Sequence, residues 1–460
     1  MKKNLRFYLA LYFARLVIIG CKLMKGNATT SPGRWAIRIC PDFIGRIGKP
    51  EKIICVTGTN GKTTVSNMLI DSLAKCGYTT LNNHLGGNIH YGVASTLIQG
   101  ADFFGNTKYD YAVLEVDERS SIRIYPYLTP TILVVTNLFR DSIYRNAHTE
   151  YILDIIKRDL PKETKLVLNA DDLISSRVGE KGNDKVYFSI DRLDTDKDHL
   201  DSNIVDIRTC PKCNAELVYD YVRYHHIGKA HCPNCDFKSP EADYLVTNID
   251  YDKMLIDVKI KGTSYTFKII NNNIINIYNT VSAIAALHEF GITIEKIQEV
   301  FGTFEIVKSR YEADSYHGVQ IISQVAKGLN PVATSRAFDY VKNESGNKVV
   351  FLNLDDYYVE KKGESENTTW LYDTDFELLE DPSIKKIIVG GIRSKDYLIR
   401  ALIAGIDPER IVIERHYEDE IKHLDLDGVD KIFILHDIYN KFIAEYIIKC
   451  IKEKIDREGR

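Results

Sequence analysis

The stretch Gly58-Thr-Asn-Gly-Lys-Thr-Thr64 decides the fold, because it lies between a short apolar run and a helical pattern. The run Ile53-Ile-Cys-Val56 indicates a buried strand, so the sequence predicts a strand, a glycine loop and a helix in that order. The glycines let backbone N–H groups approach phosphate oxygens, and the start of a helix adds partial positive charge. Lys62 can reach the outer phosphates, and the Thr63 hydroxyl can hold Mg²⁺. The loop residues expected to bind a nucleoside triphosphate are Gly58, Thr59, Asn60, Gly61, Lys62, Thr63 and Thr64.

Strand and helix patterns alternate on the C-terminal side of this loop, first up to about residue 170 and again from about residue 317. Helices between strands favour parallel sheets that are covered on both faces. The sequence therefore predicts an α/β fold with a central P-loop ATPase domain and a Rossmann-like C-terminal α/β domain. The strand candidates after the loop are Tyr111–Val116, Ile132–Val135, Leu166–Leu168, Val319–Ile322, Val349–Leu352, Ile387–Val389, Ile411–Ile413 and Ile432–Leu435.

Three domains follow from this organisation. We expect an N-terminal helix and lead-in segment over residues 1–50, the central ATP-binding domain over 51–305 and the C-terminal domain over 306–460. Residues 200–270 break the alternation with short β segments, which indicates a small β insertion. The part of it that carries four cysteines spans about residues 206–240.

Composition excludes several classes of protein. A chain of 460 residues with 44% hydrophobic and 27% charged residues is typical of a globular protein with two or three domains, and not of a disordered one. The 60 Lys and Arg residues nearly balance the 64 Asp and Glu residues, which argues against binding nucleic acid by bulk electrostatics. Nine cysteines at these spacings favour a reducing compartment and a metal site over a secreted disulfide scaffold.

The N-terminal segment leaves two interpretations open. Phe7–Cys21 is strongly apolar, but Arg15 interrupts it, and it is shorter than the roughly 20 residues that span a bilayer. No small-residue cleavage site follows Gly20, so a signal peptide is not expected. The segment is either a helix packed on the domain or a membrane-surface helix that brings the protein to a lipid-linked substrate.

Two other positions fit the nucleotide site. Glu115 ends a strand at the sheet edge where a second Mg²⁺ ligand is needed, although it can equally be a plain strand-end carboxylate. Asn276 and Asn279 lie three residues apart, on one face of a helix, and could read an adenine edge. An asparagine at a helix start can also simply be an N-cap.

Two Cys-x-x-Cys pairs, separated by 18 residues, predict a zinc ribbon. Four thiolates fill a tetrahedron around Zn²⁺ and leave no open position, so the expected role is structural. We expect the nearby His225, His226 and His231 to be ordinary surface residues. Zinc ribbons can also recruit nucleic acid, but basic and acidic residues are balanced here. The predicted ligands are Cys210, Cys213, Cys232 and Cys235.

On these motifs the chain resembles the Mur ligase superfamily, and within it the MurT family, whose members are subunits of lipid II isoglutaminyl synthases. The glycine loop resembles the ATP loop of that superfamily, and a four-cysteine ribbon in the central domain is the most discriminating feature. The resemblance covers nearly the whole chain. The other matching segments are Thr30–Arg34, Leu114–Glu118, Val135–Asp141, Asn276–Asn279, Asn330-Pro331, Trp370–Asp373 and Gly390–Arg393.

The resemblance implies a cell-wall ligase that uses ATP, Mg²⁺ and Zn²⁺ to phosphorylate the D-glutamate α-carboxylate of lipid II. Ammonia from a GatD-type glutaminase partner would then attack the acyl phosphate and leave isoglutamine. Lys62 would offset charge on the transferring phosphoryl group, Thr63 and Glu115 would hold Mg²⁺, and Arg310 would approach the nucleotide. The implied location is the cytoplasm, with possible contact at the inner face of the membrane.

Three departures from the family pattern stand out. Ser142-Ile-Tyr144 follows Arg140-Asp141, where many relatives have a metal-binding His, and Ser309 precedes Arg310, where a Gly is usual. Asn367 occupies the position of the family Asp that completes the Cys-His pair of the glutaminase. An asparagine can orient a histidine but brings no negative charge. The acids that could substitute for it are Asp355, Asp356, Glu364 and Glu366.

These departures keep a second ligase function open. A relative that adds amino acids by itself to another cell-wall precursor, such as one of pseudomurein type, could show the same divergence.

Overall fold

The computed structural model describes residues 1–84, 87–140, 148–179, 182–305, 312–326, 328–355 and 367–458. The chain divides into two compact units. The first comprises Met1–Phe139, His148–Leu200 and Asp206–Ile306, and the second consists mainly of Val307–Arg460.

The strands of the described residues are β1 (Lys52–Thr57), β2 (Thr80–Asn82), β3 (Tyr111–Glu115), β4 (Ile132–Val135), β5 (Lys165–Asn169), β6 (Lys185–Ile190), β7 (Val218–Tyr224), β8 (Ile227–His231), β9 (Tyr244–Asp250), β10 (Leu255–Ile260), β11 (Thr263–Lys268), β12 (Glu312–Tyr316), β13 (Val319–Val325), β14 (Lys348–Asn353), β15 (Ile384–Gly390), β16 (Ile411–Glu414) and β17 (Lys431–His436).

The α-helices of the described residues are α1 (Leu5–Leu23), α2 (Ser31–Ile39), α3 (Phe43–Arg46), α4 (Lys62–Lys75), α5 (His90–Gln99), α6 (Ser121–Ile124), α7 (Thr149–Arg158), α8 (Ile274–Phe290), α9 (Ile294–Gly302), α10 (Pro331–Asn343), α11 (Trp370–Asp373), α12 (Ser394–Ile403) and α13 (Lys441–Glu458). In the described part of the chain, none of them combines the length and the hydropathy needed to cross a membrane.

The first unit is built on a nine-stranded sheet in the order β11-β10-β9-β6-β5-β4-β1-β3-β2. The seven strands from β9 to β2 in this order are parallel, and β10 and β11 add an antiparallel edge. Strand β4 is buried along its whole length, as expected for a parallel sheet covered on both faces. Because β3 and β4 flank β1 in parallel, their carboxyl ends meet at one edge of the sheet.

The prediction of a small β insertion over residues 200–270 is correct only for its first half. Strands β7 and β8 form a separate two-stranded antiparallel sheet between the two cysteine pairs. Strands β9, β10 and β11 instead extend the main sheet, because β9 pairs in parallel with β6. The sequence shows alternating patterns in both halves, and only the tertiary pairing separates them.

The second unit contains a six-stranded sheet in the order β12-β13-β17-β14-β15-β16. All neighbouring pairs are parallel except β12 with β13. Apolar residues of β14, β15 and β17 form its core between the helices, as a Rossmann-like domain requires. Helix α10 starts where Asn330 accepts a hydrogen bond from the Ala333 N–H at 2.9 Å and Pro331 occupies the first turn.

Candidate active site

The glycine loop lies between the end of β1 at Thr57 and the start of α4 at Lys62. Gly58 and Gly61 have φ angles of 128° and 90°, a region that side chains rarely adopt. A Cβ atom on Gly61 would lie 2.2 Å from the Asn279 Oδ1, and one on Gly58 would lie 2.2 Å from the Thr136 Oγ1. Both positions therefore require glycine, because the side chains of Asn279 and Thr136 lie close to the loop. We call the loop Gly58–Gly61 the cradle.

The segment that follows β4 holds this loop in place. The Asn60 N–H donates to the Asn137 Oδ1 at 3.0 Å, and the Thr136 hydroxyl donates to the Asn60 carbonyl at 2.6 Å. The Thr59 hydroxyl exchanges hydrogen bonds with the N–H and carbonyl of Phe139. These contacts fix the loop before any ligand binds, which reduces the ordering cost of binding.

Lys62 points back toward the loop. Its Nζ donates to the Glu118 Oε1 at 2.9 Å and to the Gly58 carbonyl, and the Gly58 N–H donates to the same Glu118 oxygen at 3.1 Å. Burial alone would lower the pKa of Lys62, but the carboxylates of Glu118, Glu115 and Asp117 outweigh it and raise this pKa. Lys62 is therefore a half-buried cation beside the cradle.

Glu118 is a site residue that sequence reasoning missed. It is 5% exposed and begins a short 3₁₀ helix, three residues after the predicted metal ligand Glu115. The third carboxylate of the segment Leu114-Glu-Val-Asp-Glu118 was the signal in the sequence that could have identified it. Its pairing with Lys62, which lies 56 positions away, is a tertiary contact that local spacing does not reveal.

The structure brings the two predicted magnesium ligands together. The Thr63 hydroxyl donates to the Glu115 Oε2 at 2.8 Å, and Asn88 donates to the other carboxylate oxygen at 3.4 Å. Asn83 exchanges two hydrogen bonds of 2.8 Å with the backbone of Glu115 and fixes the end of β3. Hard oxygen ligands at this edge suit Mg²⁺ beside a triphosphate. Thr64 lies half-buried in the same first turn of α4.

Asn276 and Asn279 lie inside α8 and not at its cap. The N-cap is Asn273, whose side chain accepts a hydrogen bond from the Ile275 N–H at 3.0 Å, so the N-cap interpretation of the predicted pair is wrong. The Asn279 amide donates to the Asn276 Oδ1 at 3.4 Å, and Asn279 is buried against Gly61. The pair thus faces the glycine loop.

A polar cavity of about 290 Å³ adjoins this edge of the sheet. Its walls include Asn82 at the end of β2, Asn83 and His84 just after it, and Asn27 and Thr29 after α1. Because Asn83 also holds the backbone of Glu115, the cavity lies next to the predicted metal site.

The four predicted zinc ligands converge. The Sγ atoms of Cys210, Cys213, Cys232 and Cys235 all lie within 4.8 Å of one another, and all nine cysteines of the chain are free thiols. The N–H groups of Lys212 and Asn234 donate to Cys210 and Cys232, each at 3.4 Å. Four sulfurs at this spacing fit a tetrahedral ion with Zn–S bonds of about 2.3 Å.

The hairpin β7–β8 joins the cysteine cluster to the nucleotide loop. From β7, Arg223 binds Asp196 through two hydrogen bonds of 3.0 and 2.6 Å and Asp171 at 3.2 Å. Arg223 also donates to the Tyr278 hydroxyl, which donates to Asp171 at 2.5 Å. Tyr278 lies between Asn276 and Asn279, so the hairpin anchors the helix that faces the loop.

Burial is the largest single influence on each of the three pKa values in this network. It raises the pKa of Asp171, against the opposing charge of Arg223, and it raises that of Tyr278. Burial alone would lower the pKa of Arg223, but Tyr278, Asp171 and Asp196 outweigh it and raise this pKa. The guanidinium therefore stays charged, which a buried bidentate pair requires.

The prediction that the three histidines lie on the surface is wrong for two of them. His225 and His226 are 6% and 0% exposed, because the turn of the hairpin packs on the ring of Phe139. The ring centroids of His226 and Phe139 are 4.5 Å apart. Since Phe139 holds Thr59, the turn supports the loop from a second side.

Asn367 precedes α11 in the second unit. Its Oδ1 accepts a hydrogen bond from the Thr369 N–H at 2.9 Å, and it is half-buried. Asp355 is 8% exposed and accepts a hydrogen bond from the Arg393 N–H at 3.0 Å. Several predicted positions lie outside the described residues, namely Asp141, Ser142–Tyr144, Ser309, Arg310, Asp356, Glu364 and Glu366.

Comparisons with known proteins agree with this architecture. Residues 56–287, half of the chain, match the family of the Mur ligase middle domain, and residues 328–440 match the MurT ligase C-terminal family. The chain is 29% identical to the lipid II isoglutaminyl synthase subunit MurT of Staphylococcus aureus strain COL, over 92% of this chain and 94% of that protein. It is also 29% identical to MurT of Streptococcus pneumoniae, over 89% of this chain and 90% of that protein.

Among solved structures, a pseudomurein peptide ligase type C from Methanothermus fervidus has a similar fold. The two structures superpose with a TM-score of 0.62 and share 23% sequence identity. The match covers 87% of this chain and 79% of the pseudomurein ligase.

Proposed function

Because the chain belongs to the Mur ligase family, we propose that it is the ATP-dependent subunit of a lipid II isoglutaminyl synthase, a ligase of cell-wall synthesis. The observation that carries this proposal is the cradle of Gly58 and Gly61 with Lys62, Thr63 and Glu115 around it. The likeness to the MurT subunits supports the choice of substrate. We assign the nucleotide site to a central domain over residues 51–305 and assign 306–460 to a C-terminal ligase domain.

The residues of the site divide the work on ATP. Loop N–H groups bind the phosphates, and Asn276 and Asn279 place the adenine. Lys62 exchanges Glu118 for the outermost phosphate, and its charge offsets the charge on the transferring group. Thr63 and Glu115 hold Mg²⁺, which neutralises charge that develops during transfer.

The reaction then runs in two steps. A carboxylate oxygen of the D-glutamate takes the γ-phosphoryl group, which forms an acyl phosphate and releases ADP. The nitrogen of ammonia attacks the acyl carbon, the C–O bond to phosphate breaks, and phosphate leaves with the loss of one proton from nitrogen. The product is isoglutamine, the α-amide of the D-glutamate.

The partner in this proposal is a GatD-type glutaminase, which supplies the ammonia. Asn367 would orient the histidine of the partner's Cys-His pair by accepting a hydrogen bond. Its Oδ1 now accepts from Thr369, so that bond must be exchanged or shared.

Zinc in this proposal is structural. Cys210, Cys213, Cys232 and Cys235 would bind it as thiolates, and it would close the base of the hairpin that supports the nucleotide site. We place the enzyme in the cytoplasm, at the inner face of the membrane where its lipid-linked substrate lies.

The test is an assay of the purified chain alone with ATP, lipid II and either free ammonia or free amino acids. The proposal expects ATP-dependent amide formation with ammonia and none with glutamine until the glutaminase is added. Addition of an amino acid by the isolated chain would contradict it and favour a ligase that acts on another wall precursor, such as one of pseudomurein type.

A further inference from the structure

Helix α1 is apolar on two opposite sides. One side packs into the core of the first unit through Phe7, Ala10, Leu11 and Ala14, which are all fully buried. The other side is largely exposed, and Trp35 covers part of Phe13 on it. Its large side chains are 41–81% exposed and are those of Leu5, Leu9, Phe13, Leu16, Ile19 and Leu23.

These six residues form a continuous stripe, because their spacing of three or four positions keeps them on one helical face. The helix has 19 residues, which is about 28 Å of length at 1.5 Å per residue. A soluble surface helix normally presents polar residues outward, so a stripe of this length marks an interaction surface.

Aromatic side chains flank the stripe. The ring of Trp35, 40% exposed, lies 5.5 Å from that of Phe13, and the ring of Phe103, 64% exposed, lies 5.1 Å from that of Tyr12. Tryptophan and other aromatic residues prefer the boundary between lipid headgroups and acyl chains. The flanks therefore match a bilayer interface.

The segment that carries the stripe has charge of one sign. The first 41 residues contain no Asp or Glu, and their basic residues are Lys2, Lys3, Arg6, Arg15, Lys22, Lys25, Arg34 and Arg38. Lys22, Lys25, Arg34 and Arg38 are exposed. Such a basic surround is attracted to anionic lipid headgroups. It also opposes pairing of this face with a second copy, because a two-fold contact would bring the same positive residues together.

The C-terminal end of the stripe also lies near the proposed nucleotide site. Asn27 and Thr29, just after α1, line the polar cavity whose Asn83 holds Glu115. A protein resting on lipid through α1 would hold this cavity near the membrane surface.

We propose that the exposed stripe of α1, with its basic surround, docks the protein on the surface of an anionic bilayer. The helix lies in the plane of the membrane, with its apolar residues among the upper acyl chains. The purpose of this docking, access to a lipid-linked precursor, rests on the proposed function.

The test is co-sedimentation of the full chain with vesicles of phosphatidylcholine and phosphatidylglycerol, compared with vesicles of phosphatidylcholine alone. We expect preferential binding to the anionic vesicles. The double variant Leu9→Glu with Leu16→Glu should weaken binding by about tenfold or more. The control is Ile399→Glu with Ile403→Glu, two exposed apolar residues of α12, which should bind as the unchanged protein does.

A second variant, Lys22→Glu with Lys25→Glu, changes only two exposed basic residues and should also weaken binding to the anionic vesicles. Equal binding by the unchanged chain and the Leu9 and Leu16 variant would overturn the proposal. So would a dimer, measured by sedimentation velocity, that this variant abolishes. Binding is measured without ATP or precursor, so failure of the proposed ligase reaction leaves this result readable.

Discussion

Lys62 is the residue on which the proposed phosphoryl transfer depends most. Lys62→Ala should lower ATP turnover by at least about a hundredfold, because the variant loses the positive charge that offsets the charge on the transferring phosphoryl group. Lys75→Ala is the matched control, since Lys75 ends the same helix and binds Thr303 at its surface. Phosphate release under steady-state conditions measures both variants. Full ATP turnover by Lys62→Ala would contradict the assignment of the ATP site to this loop.

Asn367 allows a test that separates the two halves of the reaction. Asn367→Ala should lower glutamine-dependent turnover in the complex by about tenfold or more and leave ammonia-dependent turnover unchanged, because only the partner's histidine would lose its orientation. Asn367→Asp should restore glutamine use. Equal loss with both nitrogen sources would assign Asn367 a structural role in the turn before α11.

Glu420 gives a pH prediction for the second unit. Burial raises its pKa to about 8, against a hydrogen bond from Asn353 at 3.0 Å, and the carboxylates of Glu414, Glu418 and Asp355 raise it further. The folded pKa lies above the unfolded value, so the stabilisation present at low pH is lost as pH rises through about 8. Between about pH 5 and about pH 8 the free energy of unfolding should fall by about 3 kcal/mol from this group.

Denaturant unfolding at several pH values measures that loss. Glu420→Gln should remove this part of the dependence of the unfolding free energy on pH. The control Glu409→Gln, at an exposed position of the same unit, should keep it. If the unfolding free energy depends on pH in the same way in Glu420→Gln and in the unchanged protein, then Glu420 ionises freely in the folded state.

At the residue scale, sequence reasoning finds what is local. The glycine loop and the cysteine pairs have short, fixed spacings, so their residues are predictable from the chain alone. Glu118, Thr136 and Asn137 support the loop across 60 to 77 positions, and no local pattern encodes such contacts. The burial of His226 likewise results from a contact between residues far apart in the chain, its packing on Phe139.

The hairpin β7–β8 is the element that joins the cysteine cluster to the nucleotide site. Its base lies between the cysteine pairs, and its other end packs on Phe139 and holds Tyr278 through Arg223. The zinc proposal therefore predicts an effect on nucleotide binding as well as on stability.

Cys213→Ser with Cys235→Ser should abolish zinc binding and lower the midpoint of thermal unfolding by about 5 °C or more. The affinity for nucleotide should fall by about tenfold, since the hairpin would no longer hold Phe139 and Tyr278 in place. Atomic emission measures the metal, and calorimetric titration measures the nucleotide. The control is Cys450→Ser on α13. A metal-free native protein, or a double variant with unchanged affinity, would contradict the prediction.

Element boundaries were predictable where apolar runs are short and flanked by turns, as for β4. The pairing of β9–β11 with the main sheet was not predictable from the sequence. The strands of an antiparallel sheet edge and those of a separate insertion have the same alternating pattern. The interpretation of α1 as a helix packed on the domain is confirmed for one of its sides, whereas the membrane-surface interpretation stays a proposal about the exposed side.

At the scale of the molecule, the sequence predicts two α/β parts, and the structure has a nine-stranded and a six-stranded sheet. The carboxyl ends of β1, β3 and β4 collect the loop, the metal ligands and their supports at one edge, as parallel sheets do. The chain thus has the parts of an ATP-dependent ligase, and the proposed function adds the acceptor and the nitrogen donor.

Isotope labelling tests that proposal most directly. The chain, its glutaminase partner, ATP and lipid II are incubated with glutamine that carries heavy nitrogen in its side-chain amide, and the product is fragmented by mass spectrometry. We predict a labelled amide on the α-carboxyl of the D-glutamate, formed only when ATP is present. An unlabelled precursor, or a precursor lengthened by an amino acid, would contradict the assignment.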